Sequence, residues 1–311
     1  MRVVVTGGAG FIGANLCAHL AGCHWVDSVL ALDNLSTGDE SNLESVDVEL
    51  LVGSILSDAD LDKALDGADA VVHLAARPSV PRSIEDPLAS HEANATGTLM
   101  VLEAMRRHDV GFVVVASSSS VYGANPTLPK TETMVVQPMS PYAVSKLATE
   151  QYTLAHARVF GFGALPFRFF NVFGPLQPAG HAYAAVIPAF VDAALRGEPL
   201  PVHGDGTQSR DFTYVGDVCA VIATAVQRRT GSEQPVNLAF GGRYSLIDVI
   251  ERLERIIGHD LERDHQPSRP GDVPHSQADQ SSLRALFPKL EPTALDDGLA
   301  ATVAWHRNRL R

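Results

Sequence analysis

The sequence predicts an α/β protein: a doubly wound parallel sheet of the Rossmann type, followed by a smaller C-terminal α/β lobe. Short continuous apolar runs alternate with helix-length stretches through the first half, the pattern of strands covered on both faces. A glycine-rich loop joins the first run to the first helix. Beyond Asn171 the alternation gives way to frequent glycine and proline. A length of 311 residues suits two domains. The expected boundaries are 1–172 for the sheet, with some later segments returning to it, and 173–311 for the lobe.

The elements follow in order. Arg2–Thr6 is a β-branched strand ended by Gly7-Gly8, and Phe11–Leu20 has helical spacing. Val29–Asp33 and Val48–Val52 are the next strands, Asp58–Leu65 a helix, and Ala70–His73 a fourth strand. Leu88–Arg107 is expected to be one long helix, followed by strand Phe112–Ala116, helix Pro141–Phe160 and strand Ala164–Phe169. In the lobe, Ala184–Arg196 and Ser245–Ile257 carry helical patterns, and the tail from Ser281 is helix-rich.

Composition narrows the function. With 24 basic against 36 acidic residues the net charge is −12, a poor match for nucleic acid or anionic membrane. No apolar run approaches the roughly 18 residues of a membrane span. The opening MRVVVTGG turns into the glycine loop too early for a signal-peptide apolar core. Cys17, Cys23 and Cys219 cannot all pair with one another and have no zinc-like spacing. The expectation is a cytoplasmic protein without a metal.

The loop reads Gly7-x-x-Gly10-x-x-Gly13, between strand and helix. Gly7 suits a tight turn, Gly10 close approach of a pyrophosphate, and Gly13 close packing of helix on strand; the helix N-terminus offers free N–H groups to phosphate. Asp33 closes the second strand 20 residues after Gly13. An acid there accepts from a ribose 2′-hydroxyl and repels a 2′-phosphate, favouring NAD over NADP. The polar run Asn34, Ser36, Thr37 and Gly38 suits the same ribose.

Tyr142 and Lys146 are four residues apart, hence on one helix face. An ammonium beside a phenol favours phenolate. Four serines, 117–120, close the strand at Phe112–Ala116, at the sheet edge where ligands of open α/β sheets bind.

TGGAGFIG, Asp33, HLAA (73–76), Asn94, the serine run with Tyr122-Gly123, YAVSK, RFFNVFGP (168–175), SRDFTYVGDV (209–218) and RPGDVPHSQAD (269–279) occur in that order. Together they resemble the extended short-chain dehydrogenase/reductase family, in particular its NAD-dependent nucleotide-sugar epimerases and dehydratases, and within these the UDP-hexose 4-epimerases. The resemblance implies that Tyr142 is the base that takes the sugar 4-hydroxyl proton, that Lys146 lowers its pKa and holds the nicotinamide ribose, and that Ser118 bonds the 4-oxygen. It implies bound NAD, with Phe11, Ile12, Ser54, Ile55, Leu74, Ala75, Ala76, Asn94 and Phe169 joining the glycine loop, Tyr142 and Lys146 in holding it. It also implies a homodimer through the two long helices.

The same resemblance places a UDP-sugar among Ser79, Arg82, Ser118, Ser119, Ser120, Tyr142, Asn171, Ala185, Val186, Arg210, Arg269, Asp272 and Ser276, with Asn171, Arg210 and Arg269 on the diphosphate. In related epimerases a bulky tyrosine at the position of Ser276 restricts the pocket to plain hexoses, so a serine there implies tolerance of N-acetylhexosamines. Dehydratases carry an Asp-Glu pair where this chain has Ser119-Ser120, which disfavours dehydration; decarboxylation of a uronic acid remains an alternative. UDP-glucuronic acid epimerisation is another, with Arg82 toward C6, although Leu176 stands where several uronate epimerases carry arginine. A non-catalytic NAD sensor is the reading from a different class, disfavoured by the intact Tyr142, Lys146 and Ser118. Many relatives read Gly-Asp after the third strand; here Ser54 replaces the acid that contacts adenine. Pro78 replaces a lysine on the nicotinamide ribose. His73, His181, His203 and His275 are expected at pocket walls or surface, Met100 and Met105 in the core.

Overall fold

A computed structural model of the chain describes residues 1–179, 184–267 and 274–309. It divides into two compact units: Met1–Asn125 with Glu132–Phe169 and Cys219–Asn237, and Pro126–Thr131 with Phe170–Val218 and Leu238–Arg311.

The first unit contains β1 (Arg2–Thr6), α1 (Phe11–Ala21), β2 (Ser28–Asp33), β3 (Glu49–Val52), α2 (Asp58–Leu65), β4 (Ala70–His73), α3 (Val80–Glu85), α4 (Pro87–His91), α5 (Gly97–Arg107), β5 (Phe112–Ser118), α6 (Pro141–Phe160) and β6 (Gly163–Phe169). The chain continues as β7 (Asn171–Phe173), α7 (Val186–Arg196), β8 (Leu200–His203), β9 (Ser209–Arg210), β10 (Phe212–Tyr214), α8 (Val215–Arg228), β11 (Val236–Leu238), β12 (Tyr244–Ser245), α9 (Leu246–Ile257), β13 (Arg263–Gln266), α10 (Ser281–Leu286) and α11 (Leu295–Arg309).

The main sheet has seven strands in the order β11-β6-β5-β4-β1-β2-β3. Its central pairs are parallel. Strand order reverses between β1 and β4, which opens a crevice at their carboxyl ends. The core beneath packs Val4, Leu32, Leu61, Val71, Val101, Met105 and Val113. The second unit has its own core around Phe173, Phe190, Leu253 and Leu299.

Three expectations change. The long helix at 88–107 is interrupted: a π-turn at Glu92–Thr96, centred on Asn94, separates α4 from α5. Helix α8 was not expected: VGDVCAVIATAVQR is largely apolar, and its outer side is marked by few polar residues, among them Asp217, Thr224 and Gln227. His73 is neither wall nor surface but 3% exposed. It sits in a buried chain of hydrogen bonds: Nδ1 to Thr6 Oγ1 at 2.7 Å and Nε2 to Thr98 Oγ1 at 3.1 Å. Thr98 in turn meets Thr149 Oγ1 on α6 at 3.1 Å. Met105 is buried and Met100 packs at the edge of the core. No helix among the described residues is long and apolar enough to cross a membrane, and no group of three potential metal ligands occurs among them.

Burial, with the Lys146 charge adding to it, pushes His73 down to about 3. The folded state therefore refuses a proton that the unfolded chain accepts below about pH 6.5, so stability is complete above that pH and falls as pH drops toward 3. Comparing the pH-dependence of unfolding free energy in the wild type and in His73→Asn isolates this effect. Between pH 6.5 and 5 the wild type should lose about 2 kcal/mol more than the variant; parallel curves would show that His73 is protonated in the fold.

Candidate active site

The glycine loop follows from β1 running into α1 across the crevice. Gly7 has φ +71° and donates its N–H to the Leu32 carbonyl at 2.8 Å. A Cβ on Gly7 would stand 2.7 Å from the Ala75 nitrogen, so the Leu74–Ala76 segment after β4 lies against the loop. A Cβ on Gly13 would fall 2.0 Å from the Gly7 carbonyl oxygen, which obliges glycine there. Gly10 caps α1 without a side chain, and no acid occupies the first turn with Phe11, Ile12 and Gly13. The leading N–H groups thus remain available to an anion, and the loop fits a dinucleotide pyrophosphate.

Asp33 is 8% exposed. Its carboxylate accepts from the Ala9 N–H at 3.0 Å and the Leu35 N–H at 2.9 Å, and Gly38 packs directly against it. Each oxygen keeps a lone pair for a ribose hydroxyl. Asn34, Ser36 and Thr37 are exposed beside it. Ser54 donates its N–H to Asp60 Oδ2 at 2.9 Å, while its hydroxyl accepts from Leu56 N–H at 3.1 Å. A carboxylate therefore does stand beside the third strand, supplied by Asp60 from the first turn of α2. The Ser57-x-x-Asp60 spacing, a helix-capping pattern, was its signal in the sequence. Ile55 packs against Gly97 at the start of α5.

The reactive side chains come from β5 and α6. Ser118 ends β5, and its hydroxyl accepts from the Ser120 N–H at 3.2 Å, folding Ser119–Tyr122 into a 3-10 turn. The register places Phe169 of β6 opposite Ser118. Ser140 caps α6 and Pro141 starts it, setting Tyr142 in the first turn and Lys146 in the second. The Ser118 hydroxyl lies near enough to the Tyr142 phenol to favour its ionised form. Lys146 is buried, and its Nζ donates to the Ala116 carbonyl at 2.8 Å. Burial brings its pKa down to about 8, against the opposing charge of Glu150.

The Tyr142 phenol departs from the sequence expectation in direction: burial pushes it up, and the opposing hydrogen bond comes from Ser118. The ammonium of Lys146 is engaged with the β5 carbonyl instead. Asn94 is 1% exposed and serves as a brace: Oδ1 accepts from Arg77 N–H at 2.7 Å, and Nδ2 donates to Ser145 Oγ at 2.9 Å. Ser79 holds a strained φ of +98° and caps α3, accepting from the Arg82 N–H at 3.4 Å.

In the second unit, Asn171 on β7 pairs with β10 and donates its N–H to the Asp211 carbonyl at 3.2 Å. Arg210 Nη1 reaches the carbonyls of Ser209 at 2.9 Å and Pro274 at 3.2 Å. Ser276 is buried, its N–H donating to the Ser209 carbonyl at 3.0 Å. His275 meets Ser209 Oγ at 2.9 Å, and His203 the Pro267 carbonyl at 3.2 Å. Ala185 caps α7 and Val186 begins it. Arg269, Asp272 and His181 lie outside the described residues. Sequence reading passed over Asp211, fully buried beside Arg210. It accepts backbone N–H groups from Ala278 and from Phe240–Gly242, and burial pushes it up to about 7.

The sequence profile of the NAD dependent epimerase/dehydratase family matches residues 3–239. A UDP-glucose 4-epimerase of Mycolicibacterium smegmatis is 35% identical over 316 residues, 99% of either chain. The solved UDP-N-acetylglucosamine 4-epimerase of Methanobrevibacter ruminantium, in complex with UDP-N-acetylmuramic acid, superposes with a TM-score of 0.93 at 35% identity, covering 99% of this chain and 98% of that one. The UDP-glucuronic acid 4-epimerase of Bacillus cereus, bound to UDP-glucuronic acid and NAD, gives 0.91 at 30% identity over the full length of both.

Proposed function

This chain belongs to the NAD dependent epimerase/dehydratase family, and on that premise we propose that it inverts C4 of UDP-N-acetylhexosamines, and of UDP-hexoses, through a transient 4-keto sugar. The observation that carries the chemistry is the approach of the Ser118 hydroxyl to the Tyr142 phenol at the carboxyl end of β5, one helical turn from Lys146. Removing hydride from a carbinol needs a base at its oxygen. Tyr142 takes the 4-hydroxyl proton, and Ser118 holds the same oxygen. Lys146, a buried cation anchored to the Ala116 carbonyl of β5, binds a ribose hydroxyl. NAD, when bound, supplies a ring that accepts the C4 hydrogen as hydride and returns it to the opposite face of the sugar. The glycine loop, the leading N–H groups of α1 and Asp33 would hold it. Elimination of water finds no support, since Ser119 and Ser120 fill the turn after Ser118 without a carboxylate.

Substrate size rests on Ser276, small and buried next to β9: a serine in place of a bulky tyrosine suits a 2-N-acetyl group. Arg210, with Asn171 bonded through its N–H to the carbonyl of the neighbouring Asp211, suits the diphosphate. Neither assignment depends on the segment 268–273.

We further propose a homodimer. On α6, Val144, Tyr152 and Val159 are 51%, 41% and 72% exposed, with Leu88 of α4 at 81%. Their spacing on α6, eight and then seven residues, places them on one face. Light scattering should give twice the mass of the chain, and Val159→Asp should shift it toward the monomer; a single-chain mass for the unaltered protein rejects the dimer.

Incubation with UDP-GlcNAc, UDP-glucose and UDP-glucuronic acid, followed by NMR of the products, tests the substrate assignment. UDP-GlcNAc should equilibrate with UDP-GalNAc. Ser276→Tyr should lower kcat/KM for the N-acetylated sugar about 100-fold while changing that for UDP-glucose less than about fivefold. Faster turnover of the uronic acid than of either neutral sugar overturns it.

A further inference from the structure

A buried charge pair lies beneath the reacting groups. The side chains of Glu150 and Arg168 are 0% and 4% exposed. Arg168 donates from Nε to Glu150 Oε1 and from Nη2 to Oε2, both at 2.9 Å. Ser117 Oγ donates to Glu150 Oε1 at 2.5 Å. The guanidinium lies 4.8 Å from the centre of the Tyr122 ring, whose hydroxyl donates to Asn237 Oδ1 at 2.6 Å.

The placement of this pair is regular. Glu150 follows Lys146 by four residues and Tyr142 by eight, so all three share one face of α6. Ser117 directly precedes Ser118, and the β5–β6 register sets Ser117 opposite Arg168. Lys146 bonds the carbonyl of Ala116, and Glu150 bonds the side chain of Ser117. Successive turns of the helix are thus tied to successive residues of the strand, immediately before the strand reaches Ser118. Such a pair is expensive to desolvate, and apolar residues of similar volume often leave a fold equally stable. Stability alone gives no reason for it at this place.

We propose that Glu150 and Arg168 are positioning residues: a clamp that fixes the rotation and axial setting of α6 on β5, and so sets the approach of the Tyr142 phenol to the Ser118 hydroxyl. The inference rests on reading those two as the reactive pair.

The test compares full-length wild type, Glu150→Met/Arg168→Met and Ser118→Ala by thermal melting, by NMR titration of Cζ-labelled tyrosine, and by kcat and KM on UDP-sugars. Tyr142→Phe identifies the Tyr142 signal. The charged and titratable groups around Lys146 and Tyr142 are Glu150 on α6, Arg168 on β6 and His73 on β4. His73 is neutral in the fold. Because the double variant removes one charge of each sign, a Tyr142 shift reports the Ser118 bond rather than a change in net charge. The double variant should melt near the wild type and move the Tyr142 midpoint upward as Ser118→Ala does. It should lose kcat about 100-fold with KM within about threefold. A folded double variant with wild-type titration and kcat overturns the clamp. If the wild type turns over no UDP-sugar yet the titration shifts as described, the substrate assignment fails and the clamp stands. If the double variant does not fold, Ser117→Ala, which removes the strand-side bonds to Glu150 and to the Lys146 carbonyl, must raise the Tyr142 midpoint; an unmoved midpoint overturns the clamp.

Discussion

Helix α6 is held to the carboxyl end of β5 by charge as well as by packing. The Lys146 ammonium donates to the Ala116 carbonyl, and one turn on, Glu150 takes the hydroxyl of Ser117. The proposed reactive geometry hangs from this seam, because Ser118 is the next residue of the strand and Tyr142 lies on the preceding turn of the helix. A rotation of α6 by a fraction of a turn would separate phenol from hydroxyl. Preorganisation of this kind lowers a barrier without any rearrangement at the moment of reaction.

The interior of the first unit is polar in an ordered way. From β1 to α6, Thr6, His73, Thr98 and Thr149 form an unbroken line of hydrogen bonds through buried space. Asn94 adds a brace from the loop after β4 to Ser145, the neighbour of Lys146. The strand that carries the glycine loop and the loop after β4 are therefore each joined to the helix that carries Tyr142 and Lys146. In a low-dielectric interior each member must be satisfied, so the network admits few alternative packings. The π-turn around Asn94 fits this demand: a regular helix across 88–107 would carry the amide out of line with Arg77 and Ser145.

Much of this was legible in the sequence. Strands buried on both faces leave continuous apolar runs, so β5 and β6 could be read with small boundary changes, and β1, β4, α2 and α6 with none. The glycine spacing and Asp33 announced the dinucleotide loop because only glycine tolerates the approach of Gly13 to the Gly7 carbonyl. What could not be read depends on contacts distant in the chain. The short strands β7 to β10 and β12 owe their existence to partners rather than to pattern, and α8 marks its outer face by few polar residues, among them Asp217, Thr224 and Gln227. Glu150 shows only as a third residue at four-residue spacing after Tyr142 and Lys146, and nothing local pairs it with Arg168. The direction of the Tyr142 shift also escaped, since burial is a property of the fold and not of the Tyr-x-x-x-Lys spacing.

The central claim is that hydrogen leaves C4 of the sugar and returns to the same carbon without meeting solvent. A UDP-sugar carrying deuterium at C4, incubated with the enzyme in ordinary water until both epimers are present, tests this directly. The account predicts that both epimers keep the deuterium at C4 and that turnover is slowed by the isotope. Deuterium at C4 replaced by solvent hydrogen would contradict it.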